Sequence, residues 1–156
     1  MFPLIALTHS QLIRDSAFEP GLLASTTILL NHGANPNATW TNPEFPDWPL
    51  SAVYSAAGFT HNPAMTHLLL AAGTDWRTRH NFNDNIVGTL AYASKDSDSK
   101  ETDPGDFVSC ARSLIASGVP ISASEGYYFS PQVEDYLDLV RFQESYSKFG
   151  EPGTPD

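Results

Sequence analysis

Apolar residues recur along this chain in pairs, each followed within three residues by a glycine. The three copies are Leu29-Leu30-Asn31-His32-Gly33, Leu69-Leu70-Ala71-Ala72-Gly73 and Leu114-Ile115-Ala116-Ser117-Gly118. Each pair ends a stretch of helical period. In the third unit Phe107, Cys110, Ala111, Leu114 and Ile115 fall at i, i+3, i+4, i+7 and i+8, one face of a helix. Met65, Leu68, Leu69 and Ala72 do the same in the second, and Leu22, Leu23, Ile28, Leu29 and Leu30 make a wider apolar surface in the first. Glycine just past a helix reaches the left-handed conformation that a Cβ disfavours, so each Gly predicts a helix end. Gly33 to Gly73 is 40 residues and Gly73 to Gly118 is 45 (73 − 33 and 118 − 73). One supersecondary unit is therefore used repeatedly.

Within each interval the order is a polar turn, a short helix, a break and a longer helix. The short helices are headed by Pro49-Leu50 and Thr89-Leu90, and Leu50, Val53, Tyr54 and Ala57 mark the first of them. Asn62-Pro63 and Asp103-Pro104 head the longer ones, with Glu19-Pro20 and Ser130-Pro131 as the same device at the two ends. Asn or Asp caps a free amide, and Pro in the first turn has no amide to leave unpaired. Val133, Leu137, Val140 and Arg141 predict a last helix whose other side is acidic (Glu134, Asp135, Asp138), as a terminal cap requires. Residues 1–148 thus read as one domain, and the polar, Gly- and Pro-rich residues 149–156 as a disordered tail.

These residues resemble the ankyrin repeat. The clearest copy runs Asn35-Pro36-Asn37-Ala38, Pro49-Leu50-Ser51-Ala52, Ala56-Ala57-Gly58 and Leu68-Leu69-Leu70-Ala71-Ala72-Gly73. Gly33-Ala34-Asn35-Pro36-Asn37 is similar to the family's junction between repeats, and Gly73-Thr74-Asp75 with Gly88-Thr89-Leu90-Ala91 is a weaker copy. The resemblance implies an all-α solenoid of about three helix-turn-helix repeats with a C-terminal capping helix. It also implies a protein-binding module, with short helices on a concave face. The family unit is about 33 residues, so these units carry an excess of about 7 and 12. The excess falls in the turn 39–48 and in the acidic link 95–102, a lengthening that resembles ankyrin proteins of bacteria.

Composition narrows the partner. Charged residues make up 17%, and the net charge is −10. Such a surface repels phosphate backbones, which points away from nucleic acid and towards a basic protein surface. No apolar run reaches the roughly 20 residues of a membrane span. One cysteine, Cys110, allows no internal disulfide, and no secretory signal is legible, so a monomer in the cytoplasm is expected.

The turn 39–48 holds Trp40, Asn42, Phe45, Asp47 and Trp48, and the next holds Trp76, His80 and Phe82. Large aromatics in a turn either anchor a partner or fold back to seal the turn. Tyr54 and Tyr92 sit at matching places on the two short helices and carry the same two readings. These ten residues are the expected protein-binding set. An inhibitor or immunity-type role against a toxin or enzyme is a narrower form of it. A small hydrolase-like enzyme, with His80, Asp75 and Tyr92 as acid–base groups, is the weaker alternative, and a structural spacer is a third.

Other chemistry fits less well. The five His residues lack metal-ligand spacing, and His32 and His61 read as capping and turn residues. Counted from Asp96, an EF-hand would need Gly at position 101 and Glu at position 107, where Glu101 and Phe107 stand. Cys110 lies on an apolar helix face, the setting of an inert thiol. No phosphate loop or nucleophile elbow occurs, and no catalytic, cofactor-binding or metal-ligating residue is assigned.

Overall fold

The computed structural model describes residues 2–78, 85–95, 104–121 and 129–149. The described chain is mostly helical. Helices α1 (Pro3–His9) and α2 (Glu19–Asn31) come first, joined through a 3₁₀ turn at Gln11–Arg14. Strands β1 (Thr39–Asn42) and β2 (Phe45–Ser51) follow, then α3 (Ala52–Tyr54), a π-helical turn at Ser55–Phe59 and α4 (Pro63–Ala71). Helices α5 (Ile86–Lys95), α6 (Pro104–Ala116) and α7 (Pro131–Phe149) complete it.

Helix pairs succeed one another. Helix α1 packs on α2, α3 with its π-turn on α4, and α5 on α6. Across pairs, α1 meets α3 and the π-turn, which meet α5, while α2 meets α4 and α4 meets α6. Helix α7 closes on α6. The buried residues form one continuous cluster, from Leu4, Ile5 and Ile13 through Val53, Met65 and Leu69 to Leu90, Phe107, Leu114, Val133 and Leu137. The face expected on α6 is the buried one: Phe107, Cys110, Ala111 and Leu114 are inside and Ile115 is half-buried.

The three glycines do end helices. Gly33, Gly73 and Gly118 have φ of +85°, +85° and +77°. After α2 the Gly33 amide donates to the Leu30 carbonyl and the Ala34 amide to Leu29, both at 3.0 Å. The same two bonds recur from Gly73 and Thr74 to Leu70 and Leu69, and from Gly118 and Val119 to Ile115 and Leu114. This is the paired closure of a Schellman end, and it satisfies carbonyls that the helix leaves free. The turns beyond also match. Asn35 Oδ1 accepts from the Asn37 amide at 2.9 Å, and Asp75 Oδ1 from the Arg77 amide at 3.0 Å. Asn37 then bridges the two junctions: its Oδ1 accepts from the Asp75 amide at 2.6 Å and its Nδ2 donates to the Gly73 carbonyl at 3.3 Å.

Three expectations need correction. The architecture is not wholly α, because residues 39–51 form an antiparallel hairpin. Thr39 pairs with Ser51, Trp40 with Leu50 and Thr41 with Pro49; the register then slips so that Asn42 pairs with Phe45. Thr39, Trp40 and Thr41 favour extended backbone, and Asn42 Oδ1 accepts from the Glu44 amide to make the turn. Prolines bar a central strand only; both strands of a two-stranded sheet are edges, where Pro46 and Pro49 are tolerated. Second, Pro49-Leu50 does not head the short helix. Both lie in β2, and α3 starts at Ala52, capped by the Ser51 hydroxyl accepting from the Tyr54 amide at 3.3 Å. Third, α5 starts at Ile86, ahead of Thr89-Leu90, because Asn85 Oδ1 accepts from the Val87 and Gly88 amides. Residues 150–156, in the expected tail, and the link 96–103 lie outside the described residues.

Gly58 sets how closely two pairs approach. A Cβ there would stand 2.2 Å from Thr89 Cγ2 on α5. The Thr89 hydroxyl donates to the Asn85 carbonyl at 3.1 Å and holds that methyl in place. Gly58→Ala should therefore destabilise by about 1–3 kcal/mol in urea unfolding. Gly58→Ala with Thr89→Ser, which removes the methyl and keeps the hydroxyl, should recover most of the loss.

Candidate functional site

The hairpin and the row of short helices hold most of the residues expected to bind a partner. Trp40 stands on β1 opposite Leu50, and its ring is half-buried against the core. Trp76 does the same from the next turn. The Arg77 guanidinium lies over the Trp76 ring at 4.4 Å, a cation–π contact that keeps a cation on the surface beside Asp75. Both Trp rings therefore contribute to sealing their turns. The Asn37 bridge joins those two turns directly.

The remaining positions differ. Asn42 spends its side-chain oxygen on the hairpin turn, a structural task. Asp47 is exposed on β2, which also carries Phe45 and Trp48. Tyr54 is half-buried on α3. Tyr92, on the neighbouring α5, is 71% exposed. His80 and Phe82 lie outside the described residues, and with His80 goes the placement of the acid–base set proposed with Asp75 and Tyr92. Among the described residues no group of three or more His, Cys, Asp or Glu is arranged to hold a metal ion.

A polar cluster on the opposite edge was not legible in the spacing. It joins the link after α1 to the break between α3 and α4. Arg14 donates from Nε to the Thr60 carbonyl at 3.1 Å and from Nη2 to His61 Nδ1 at 2.6 Å. Asn62 Oδ1 caps α4 by accepting from the Met65 amide at 2.7 Å. Its Nδ2 donates to Glu19 Oε1 at 2.8 Å and to the Ile13 carbonyl at 3.3 Å. The Thr60 hydroxyl lies within 3.3 Å of the carbonyls of Thr8, Ser55 and Ala56. Glu19-Pro20 therefore does not use its carboxylate as the local cap expected of it; the acid reaches across 43 positions to Asn62.

His61 has φ of +51°, the left-handed region. Its imidazole packs against the Phe107 ring, with centroids 4.4 Å apart. Its pKa is lowered to about 4, first by burial and then by the Arg14 charge, with a hydrogen bond to the Gly58 backbone opposing them. Burial also lowers the pKa of His9, which stacks on Phe59 at 4.2 Å. The Cys110 thiol is pushed up to about 12, chiefly by burial, with a hydrogen bond to the Thr66 side chain opposing and the Asp106 charge contributing to the rise.

Against family models, curated proteins and solved structures, the chain has no match. No described helix is long and apolar enough to cross a membrane.

Two measurements follow. The unfolded chain takes up a proton on His61 near pH 6.5, whereas the folded chain does so only near pH 4. Stability is thus complete above about pH 6.5 and falls as the pH drops towards 4. Allowing for the ring's partial exposure, the loss is about 1–2 kcal/mol. His61→Asn, which tolerates the left-handed backbone, should show a shallower fall over that window in denaturant titrations at several pH values. Cys110 should resist a thiol reagent in the folded protein and react fully once urea unfolds it.

Proposed function

We propose that this chain is an ankyrin-type stack of helix pairs that binds a protein partner through its hairpin and its short-helix row. The repeated Schellman ends, the matching Asx turns and the Asn37 bridge support the repeat reading. The order in which the pairs pack supports it as well. The hairpin at residues 39–51 is then an elaboration of a junction, placed where repeat proteins accept insertions without disturbing the stack.

The observation that carries the binding reading is Tyr92. A tyrosine that is 71% exposed on α5 gives its own fold little. At an interface the same ring supplies a large rigid contact and a hydroxyl. Asp47 and Asp75 on the adjoining turns are exposed and acidic, which suits a basic partner surface and speeds encounter. Trp40 shapes the surface mainly by holding the hairpin against the core.

The test is capture of a partner from a native-host lysate on immobilised protein, followed by kinetics with the purified partner. Tyr92→Ala should melt with the parent and bind at least about tenfold more weakly, as for an aromatic anchor. Association should slow as salt is added, because acidic–basic steering is screened. Equal binding by parent and variant would remove Tyr92 from the interface and the reading with it.

A further inference from the structure

We infer that the outer edge of β1 is a strand-addition site, where an extended, basic segment of a partner protein pairs with the backbone of Thr39–Asn42. A two-stranded sheet has two outer edges, and here they differ. On β2, Pro46 and Pro49 have no amide to donate, and the register skips Pro46-Asp47-Trp48 between the Thr41–Pro49 and Asn42–Phe45 pairs. Prolines, a charge and a break in register close an edge to further pairing. Strand β1 is Thr39-Trp40-Thr41-Asn42, with no proline and no charge. In an antiparallel pair alternate residues turn their N–H and C=O away from the partner strand, so half of these groups on β1 point outward. Among the described residues β2 is the only element that packs extensively on β1, and outside the ladder no backbone hydrogen bond reaches residues 39–42.

The chemistry of an edge selects an extended chain, because a strand offers donors and acceptors at the matching repeat. Side chains give the pattern. Thr39 and Thr41 are exposed on one face; Trp40 and Asn42 are half-buried on the other, with Trp40 against the core. An added strand therefore places alternate residues beside Trp40, where an apolar side chain fits, and the others beside the threonines, where polar ones fit. Charge sets the sign. Glu44, in the turn, and Asp47 are exposed at the hairpin tip, and no ion pair among the described residues engages either. Lys or Arg at the end of the added strand nearest Asn42 neutralises them. A second copy of this chain would bring the same acids and a net charge of −10, which disfavours it as the occupant. The inference rests on the hairpin's part in the docking reading above and specifies its partner: a segment of alternating apolar and polar residues with a basic end.

Random peptides displayed on phage and selected on the immobilised full chain test it. Selected peptides should alternate apolar and polar residues and carry Lys or Arg at one end. With such a peptide bound, hydrogen exchange read by NMR should slow at least about tenfold at alternate amides of residues 39–42. N-methylation of the peptide backbone at alternate positions should weaken binding at least about tenfold in one alternation and little in the other, as loss of inter-strand hydrogen bonds requires. Glu44→Lys with Asp47→Lys, both on the exposed tip, should weaken it about fivefold through slower association. A library that yields no binder, exchange that slows elsewhere and not at 39–42, two N-methyl series that both bind like the parent peptide, or a charge-reversed variant that binds as well as the parent would each overturn the proposal. Exchange at 39–42 that slows with protein concentration alone would make a second copy the occupant and overturn it too. The docking reading is judged separately. A lysate partner that depends on Tyr92 but leaves the 39–42 amides exchanging freely removes strand addition alone. Protection at 39–42 with capture indifferent to Tyr92→Ala removes the Tyr92 interface and leaves the edge.

Discussion

Mutual burial of apolar flanks between successive helix pairs is the constraint on which the other features depend. Ile5, Val53 and Leu90 are buried on α1, α3 and α5, which lie side by side, and Met65, Leu69 and Leu114 on α4 and α6, which pack on one another. The close approach of Gly58 to Thr89 shows how little slack the stacking leaves.

Polar contacts register the pairs against one another. Asn37 aligns two turns at one edge with two hydrogen bonds to backbone. At the other edge Arg14, Asn62 and Glu19 tie the first pair to the break in the second. These groups are worth more for alignment than for bulk stability. A bond between pairs is satisfied at one spacing and lost at any other, and for the buried Asn62 side chain leaving it unpaired costs about 1–3 kcal/mol. His61 belongs to this set: a neutral imidazole accepts from Arg14, and an imidazolium does not.

The two ends of the stack and its decorated edge divide the surface by chemistry. The hairpin and Tyr92 combine aromatic and acidic groups, α7 is charged, and residues 20–43 hold no Asp, Glu, Lys or Arg.

What the sequence by itself determined was local. The Leu-Leu and Leu-Ile pairs with their glycines set where helices end, because only a residue without Cβ takes φ near +85° at little cost. The period of Phe107, Cys110, Ala111 and Leu114 set which face of α6 is buried. Asn62-Pro63 set the start of α4. Tertiary structure decided what depends on a distant partner. The hairpin was hidden because its prolines read as loop until an edge pairing with β1 made them tolerable. Whether Trp40 and Trp76 anchor a partner or seal their turns stayed open in the sequence, since a ring's direction depends on whether a core lies beside it. Glu19 and Asn62 stand 43 positions apart and meet only because two helix pairs are stacked, a contact that no local pattern of residues records.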